Sequence, residues 1–170
     1  MNRRHLLLVT IVSLIVASSG PQLYAEEHND PALIKLMGEA KITLQQGLTA
    51  AAAQGQPISA KFEVEDGKLQ LSVYTAKDGK FSEVVVDHVS GKVAKTEPIT
   101  QGDDLTAAKA QSAAMAKAKT DLKAAVDKAA GQTAGSKTIS VTPALKGGNA
   151  AASVTLLSGQ QFKTVEASLD

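Results

Sequence analysis

Beyond the first 25 residues, the groups whose types and spacing could do chemistry are two histidines, a few carboxylates and a set of lysines in an alanine-rich stretch. Glu26-Glu27-His28-Asn29-Asp30 brings oxygen and imidazole donors together and could in principle hold a metal ion. A closed site needs four converging ligands on a scaffold, which a terminal acidic stretch does not provide, so these residues read as a polar tail. Asp87-His88 sets a carboxylate beside an imidazole, the pairing used in acid–base catalysis. Its place at the end of an alternating apolar run and before Ser90-Gly91 reads instead as a turn, with Asp87 bonding backbone amides and His88 exposed. The serines and threonines form no Gly-x-Ser-x-Gly elbow and have no partnering histidine, so nucleophilic catalysis is not supported. Lys109, Lys117, Lys123 and Lys128 would suit acidic lipid or a polyanion, but Asp121 and Asp127 interrupt them, as on a solvated helix face. No catalytic, cofactor-binding or metal-ligating residue is assigned, and the chain reads as a non-enzyme.

The N-terminus explains where such a protein would work. Arg3 and Arg4 precede the apolar run Leu6 to Ala17, and Ser18-Ser19-Gly20-Pro21 follows, the pattern of a secretory signal peptide. Twelve residues at 1.5 Å rise reach only about 18 Å, short of the roughly 30 Å hydrocarbon core. Cleavage after Ala25 is expected, with a site near Ser19 as the alternative because Leu23 occupies a position that prefers a small residue. The Arg3-Arg4 pair also partly matches a twin-arginine signal. Removal of 25 of 170 residues leaves 145, with no cysteine for a disulfide or a lipid anchor. Both arginines leave with the signal, so sixteen lysines face seventeen acidic residues. That balance, with Phe62, Tyr74, Phe81 and Phe162 as the remaining aromatics, disfavours nucleic acid and glycan platforms. A periplasmic or secreted protein is expected, with no stable membrane anchor after cleavage.

The elements follow from local pattern. Asp30-Pro31 starts a short helix over Ala32 to Glu39, and Thr43 starts another whose Leu44, Leu48, Ala51 and Ala52 share a face. Gly47 either weakens that helix or permits close approach to a sheet. Ile58, Ala60, Phe62 and Val64 alternate with Ser59, Lys61, Glu63 and Glu65; Asp66-Gly67 turns the chain into Leu69, Leu71 and Val73. Asp78-Gly79 starts a third strand, Phe81 to Val86, and a short extended piece runs from Val93 to Pro98. Between 104 and 130 a helical stripe is expected either to bend near Lys119-Thr120 or to divide into a helical linker, 105 to 118, and a helix, 120 to 130, that alone packs on the second sheet.

The pattern then recurs. Ile58-Ser59-Ala60 is echoed by Ile139-Ser140-Val141, and Gly79-Lys80-Phe81 by Gly159-Gln160-Gln161-Phe162, at an offset near 81. The expectation is an α+β protein of two tandem modules, each a helix packed on a three-stranded antiparallel β-meander. The divisions are a signal peptide, 1–25; a polar tail and short helix, 26–41; module 1, 42–99; and a divergent module 2 with a long alanine-rich helix, 100–170. Leu69 and Leu71 align with Ala150 and Ala152, which predicts a thinner core in the second module.

Ile42-Thr43-Leu44-Gln45-Gln46-Gly47-Leu48, Ala60-Lys61-Phe62-Glu63-Val64, Leu71-Ser72-Val73-Tyr74 and Val86-Asp87-His88-Val89-Ser90-Gly91-Lys92-Val93 together resemble the PepSY domain. The resemblance covers about 40 to 98 well and 120 to 170 more weakly. It implies an exported, non-catalytic module that binds or inhibits a protein or peptide partner, a protease among them. The family has no catalytic motif to transfer. A polar strand face of Lys61, Glu63, Glu65, Gln70 and Ser72 would suit transient association, and an unpaired sheet edge would suit strand addition. The alternative is a structural or stress-related envelope protein, or a small-ligand or metal-sensing element, without a protease partner.

Overall fold

The computed structural model describes residues 30–170; the expected signal peptide, its cleavage point and the Glu26-Glu27-His28 donors lie outside the described residues. Helix α1, Pro31–Leu36, starts where Asp30 accepts a hydrogen bond from the Ala32 amide at 2.8 Å and proline fills the first turn. Helix α2, Leu44–Ala51, opens with a reciprocal capping box between Thr43 and Gln46 and buries Leu44, Gly47, Leu48 and Ala51. A Cβ on Gly47 would lie 2.5 Å from Leu71 Cδ2, so glycine here is what lets α2 approach the sheet.

The first run of strands is β1, Gln56–Glu65; β2, Lys68–Lys77; β3, Lys80–Val86; and β4, Val93–Ile99. Helices α3, Gly102–Met115, and α4, Leu122–Gly131, follow, then β5, Lys137–Lys146; β6, Asn149–Ser158; and β7, Gln161–Ser168. The Asp-Gly turns Asp66-Gly67 and Asp78-Gly79, and Gly147-Gly148, take positive φ at both central residues. That conformation matches strand twist in a two-residue hairpin. The stretch expected to be one bent helix or a linker plus helix is two helices, separated where the Lys119 and Thr120 amides donate to the Leu169 carbonyl.

The expectation of two tandem modules, each on its own three-stranded meander, is corrected by the sheet. All seven strands form one antiparallel sheet in the order β4-β3-β2-β1-β5-β6-β7. The join is the pairing of β1 with β5, Ala60 opposite Val141 and Lys61 opposite Ser140. The extended piece after Gly91 is a full strand, β4, so the first half contributes four strands. Alternation of apolar residues fixes which face a strand buries and leaves open which edges meet. Pairing β1 with β5 removes two exposed edges and places both halves on one core that runs from Leu33 to Leu169.

The repeat is visible strand by strand. The limits of β5 and β6 are those of β1 and β2 displaced by 81, and β7 begins 81 residues after β3. Each first strand has its irregularity at the same place, between Pro57 and Ser59 and between Thr138 and Ser140. The Lys41 and Ile42 amides donate to the His88 carbonyl just as Lys119 and Thr120 donate to Leu169. Part of the bulk missing at Ala150 and Ala152 is returned on the same face of β6 by Leu156, and buried Leu156, Leu157 and Leu169 stand at the positions of Thr75, Ala76 and His88.

Helices α2 and α4 share the face that carries Ala60, Phe62, Leu71 and Val73; Gln45 Nε2 donates across to Asp127 Oδ1 at 3.2 Å. Helix α3 lies on the opposite face, where Ser59 Oγ donates to Gln111 Oε1 at 2.7 Å.

Candidate functional site

The polar strand face is a self-bonded network and not an open surface. Ser72 is fully buried and Ser59 nearly so. Ser72 Oγ donates to Glu63 Oε1 at 2.7 Å, Lys61 Nζ lies 2.6 Å from Glu63 Oε2, and Gln70 Nε2 donates to Ser72 Oγ at 2.9 Å. Lys61 Nζ also sits 5.9 Å from the Tyr74 ring centroid, within cation–π range. Burial works against the Lys61 ammonium, but the Glu63 hydrogen bond and the Tyr74 and Glu63 charges outweigh it and raise its pKa above the ordinary lysine value. Burial pushes the Tyr74 hydroxyl up to about 12, opposed by Lys61 and reinforced by Glu83, Glu63 and Asp104. The Lys61 ammonium and the Tyr74 phenol both hold their protons near neutral pH, so neither is poised to exchange one there. Glu65 is exposed at the strand end.

Asp87 spends its carboxylate on the turn: Oδ1 accepts from the Val89 amide at 3.2 Å and from the Ser90 amide at 2.6 Å. Hydrogen bonds from Ser90, then Val89, hold its pKa below the usual aspartate value. His88 is half-buried, where exposure was expected, and its Nδ1 is enclosed without a hydrogen-bond partner. The His88 carbonyl accepts from the Lys41 and Ile42 amides, which ties this turn to the loop before α2. Among the described residues no three His, Asp or Glu side chains converge as a metal site.

The lysines do not form one patch. Lys109 is on α3, while Lys123 and Lys128 are on α4, across the sheet. Lys117 Nζ donates to the Gly148 carbonyl at 3.3 Å, and Lys123 Nζ pairs with Asp127 Oδ2 at 2.9 Å.

The feature left with unspent bonding capacity is a sheet edge. In the first half the outer side of β3 is taken by β4, with Phe81 opposite Ile99, Glu83 opposite Glu97 and Val84 opposite Thr96. Strand β7 is the counterpart of β3: Val165 faces Val154 as Val84 faces Val73. Among the described residues no strand pairs with the outer side of β7, which presents its backbone over eight residues. Even the start of the covering turn is repeated, since the Asp170 amide donates to Ser168 Oγ at 3.2 Å as the Val89 amide does to Asp87. Strand β4, at the other end of the sheet, carries Pro98, Lys95 and Glu97, residues that discourage further pairing. Strand β7 has no proline, and its Glu166 is engaged by Lys146. The sequence signal for this site is the repeat itself, which sets β7 on β3 at an offset of 81.

No family model matches the chain, and no match was found among curated proteins or among solved structures.

Proposed function

We propose that the protein is an exported, non-catalytic binding protein of the cell envelope that holds an extended segment of a protein partner along the outer edge of β7. A protease is the partner class that the PepSY resemblance favours. The observation that carries the reading is the unequal treatment of two equivalent edges, β3 covered by β4 and β7 uncovered among the described residues.

The repeat also supplies the chemistry of the occupant. An antiparallel segment in the register of β4 would set one row of side chains beside Lys163, Val165 and Ala167, and the other beside Phe162, Thr164 and Glu166. An acidic residue opposite Lys163 and apolar residues opposite Phe162 and Val165 fit best, as Ile99 fits against Phe81. The main chain provides affinity and these side chains provide selectivity, as in other strand additions. At about 1 kcal/mol net for each backbone hydrogen bond, several such bonds give transient to moderate binding once ordering is subtracted.

An extended chain tests this. A copy of residues 90–99 appended after Asp170 continues the repeat in register and should pair with β7 as an eighth strand. Used as baits on envelope extract, the chain 26–170 should retain its partner and the extended chain should lose it while remaining folded. Equal retention by both would remove the β7 edge as the binding site and return weight to a structural role.

A further inference from the structure

A cleft of about 200 Å³ opens where the two halves meet on the α2–α4 face. Its floor is apolar: Phe62, Leu44 and Met37 are almost completely buried, and Ala40, Ile42 and Ala130 complete it. Its rim is polar, with Lys41, Thr43, Gln45, Ser136, Lys137 and Thr138. None of the twelve lining residues is acidic. Lys137 Nζ donates to the Met37 carbonyl at 2.7 Å, which aims the ammonium across the mouth and leaves two of its three donors to serve. Neither Lys41 nor Lys137 has an ion-pair partner among the described residues. Asp127, the carboxylate that accepts from the lining residue Gln45, is already paired with Lys123.

The duplication provides an internal control. Lys41 and the α2 cap Thr43 are matched by Lys119 and the α4 cap Asp121 at an offset of 78, and Lys137 is matched by Gln56 at an offset of 81. The counterpart position therefore has a carboxylate where the cleft has a hydroxyl, and an amide where it has an ammonium. The cleft thus carries two ammonium groups, and its counterpart carries one beside a carboxylate. Two exposed ammonium groups with no carboxylate among the lining residues leave the mouth of an apolar cleft open to an anion.

We propose that this cleft binds a small amphipathic carboxylate, with its hydrocarbon part against Phe62, Leu44 and Met37 and its carboxylate held by Lys41 and Lys137. At about 30 Å³ for a water's share of liquid volume, the space equals roughly seven waters, enough for a short-chain fatty acid. This site lies on the helix-covered face near the centre of the sheet and is independent of strand addition at β7.

The test is an NMR titration of the chain 26–170 with hexanoate and with hexanol, its neutral counterpart. Hexanoate should shift signals of Met37, Ile42 and Ala130 saturably, and hexanol should bind more weakly by on the order of tenfold. Lys41→Met, on an exposed side chain, should weaken hexanoate to a similar degree and leave hexanol unchanged. Lys137→Met should do the same, and its melting profile shows separately whether the lost Met37 contact matters to folding. Absence of saturable shifts, equal affinity for acid and alcohol, or unchanged hexanoate affinity in Lys41→Met with a folded protein would each overturn the proposal.

Discussion

Phe62→Ala should lower the free energy of unfolding by about 3–5 kcal/mol and should do so for both halves of the molecule at once. Phe62 is 1% exposed, lies opposite Leu71 on β1, and sits on the strand that pairs with both β2 and β5. Truncation removes the largest fully buried side chain from a core that continues across the join. A protein of this size is stable by about 5–15 kcal/mol, so the loss takes from about a fifth to all of its margin. Urea unfolding followed by far-UV circular dichroism and by resolved NMR signals from Val84 and Val154 checks it. One coincident transition, moved to lower urea, is expected. Loss of the Val84 signal while Val154 stays native would mean that the halves are separate units after all.

The second large effect is expected at the join. Val141 is fully buried in the middle of β5, between Ala60 of β1 and Val154 of β6. Val141→Pro removes an amide donor from a central strand, whichever neighbour receives it, and forces a ring into the pleat, at a cost of about 3 kcal/mol or more. Proline at Thr96 on the outer strand β4, where Pro98 is already tolerated, serves as the control and should cost far less. Thermal melting of the two variants gives the comparison. Similar midpoints for both would show that the β1–β5 pairing carries little of the stability.

Much of the fold is legible because its signals are local. The alternation in Ile58 to Val64, the Asp-Gly turns and the Asp30 and Thr43 caps each act over a few residues, and the strands and short helices lie where they indicate. The assembly was not legible in the same way. Whether β1 presents its second edge to solvent or to β5 depends on contacts some 80 residues apart, which leave no periodic mark. Strand β4, with its exposed Lys95, Glu97 and Pro98, has the composition of a loop and is held in place by its partner β3. The polar face carries no sign in sequence of its internal bonding: Glu63 binds both Ser72 and Lys61, and Gln111 of α3 accepts from Ser59. The cleft residues Lys41 and Lys137 come from opposite ends of the chain, so only folding brings them together. The β7 edge was within reach of the sequence, because the repeat shows what its counterpart β3 is paired with.

The most direct measurement is residue-resolved amide hydrogen exchange on the chain 26–170, free and with its captured partner bound. Binding along β7 predicts slowed exchange at alternate amides between Gln161 and Ser168, those that point away from β6, with β4 unchanged. The same amides should be slowed, without partner, in the chain extended by a copy of residues 90–99. Exchange along β7 that is unaltered by a bound partner, or protection confined to another surface, would contradict strand addition at this edge.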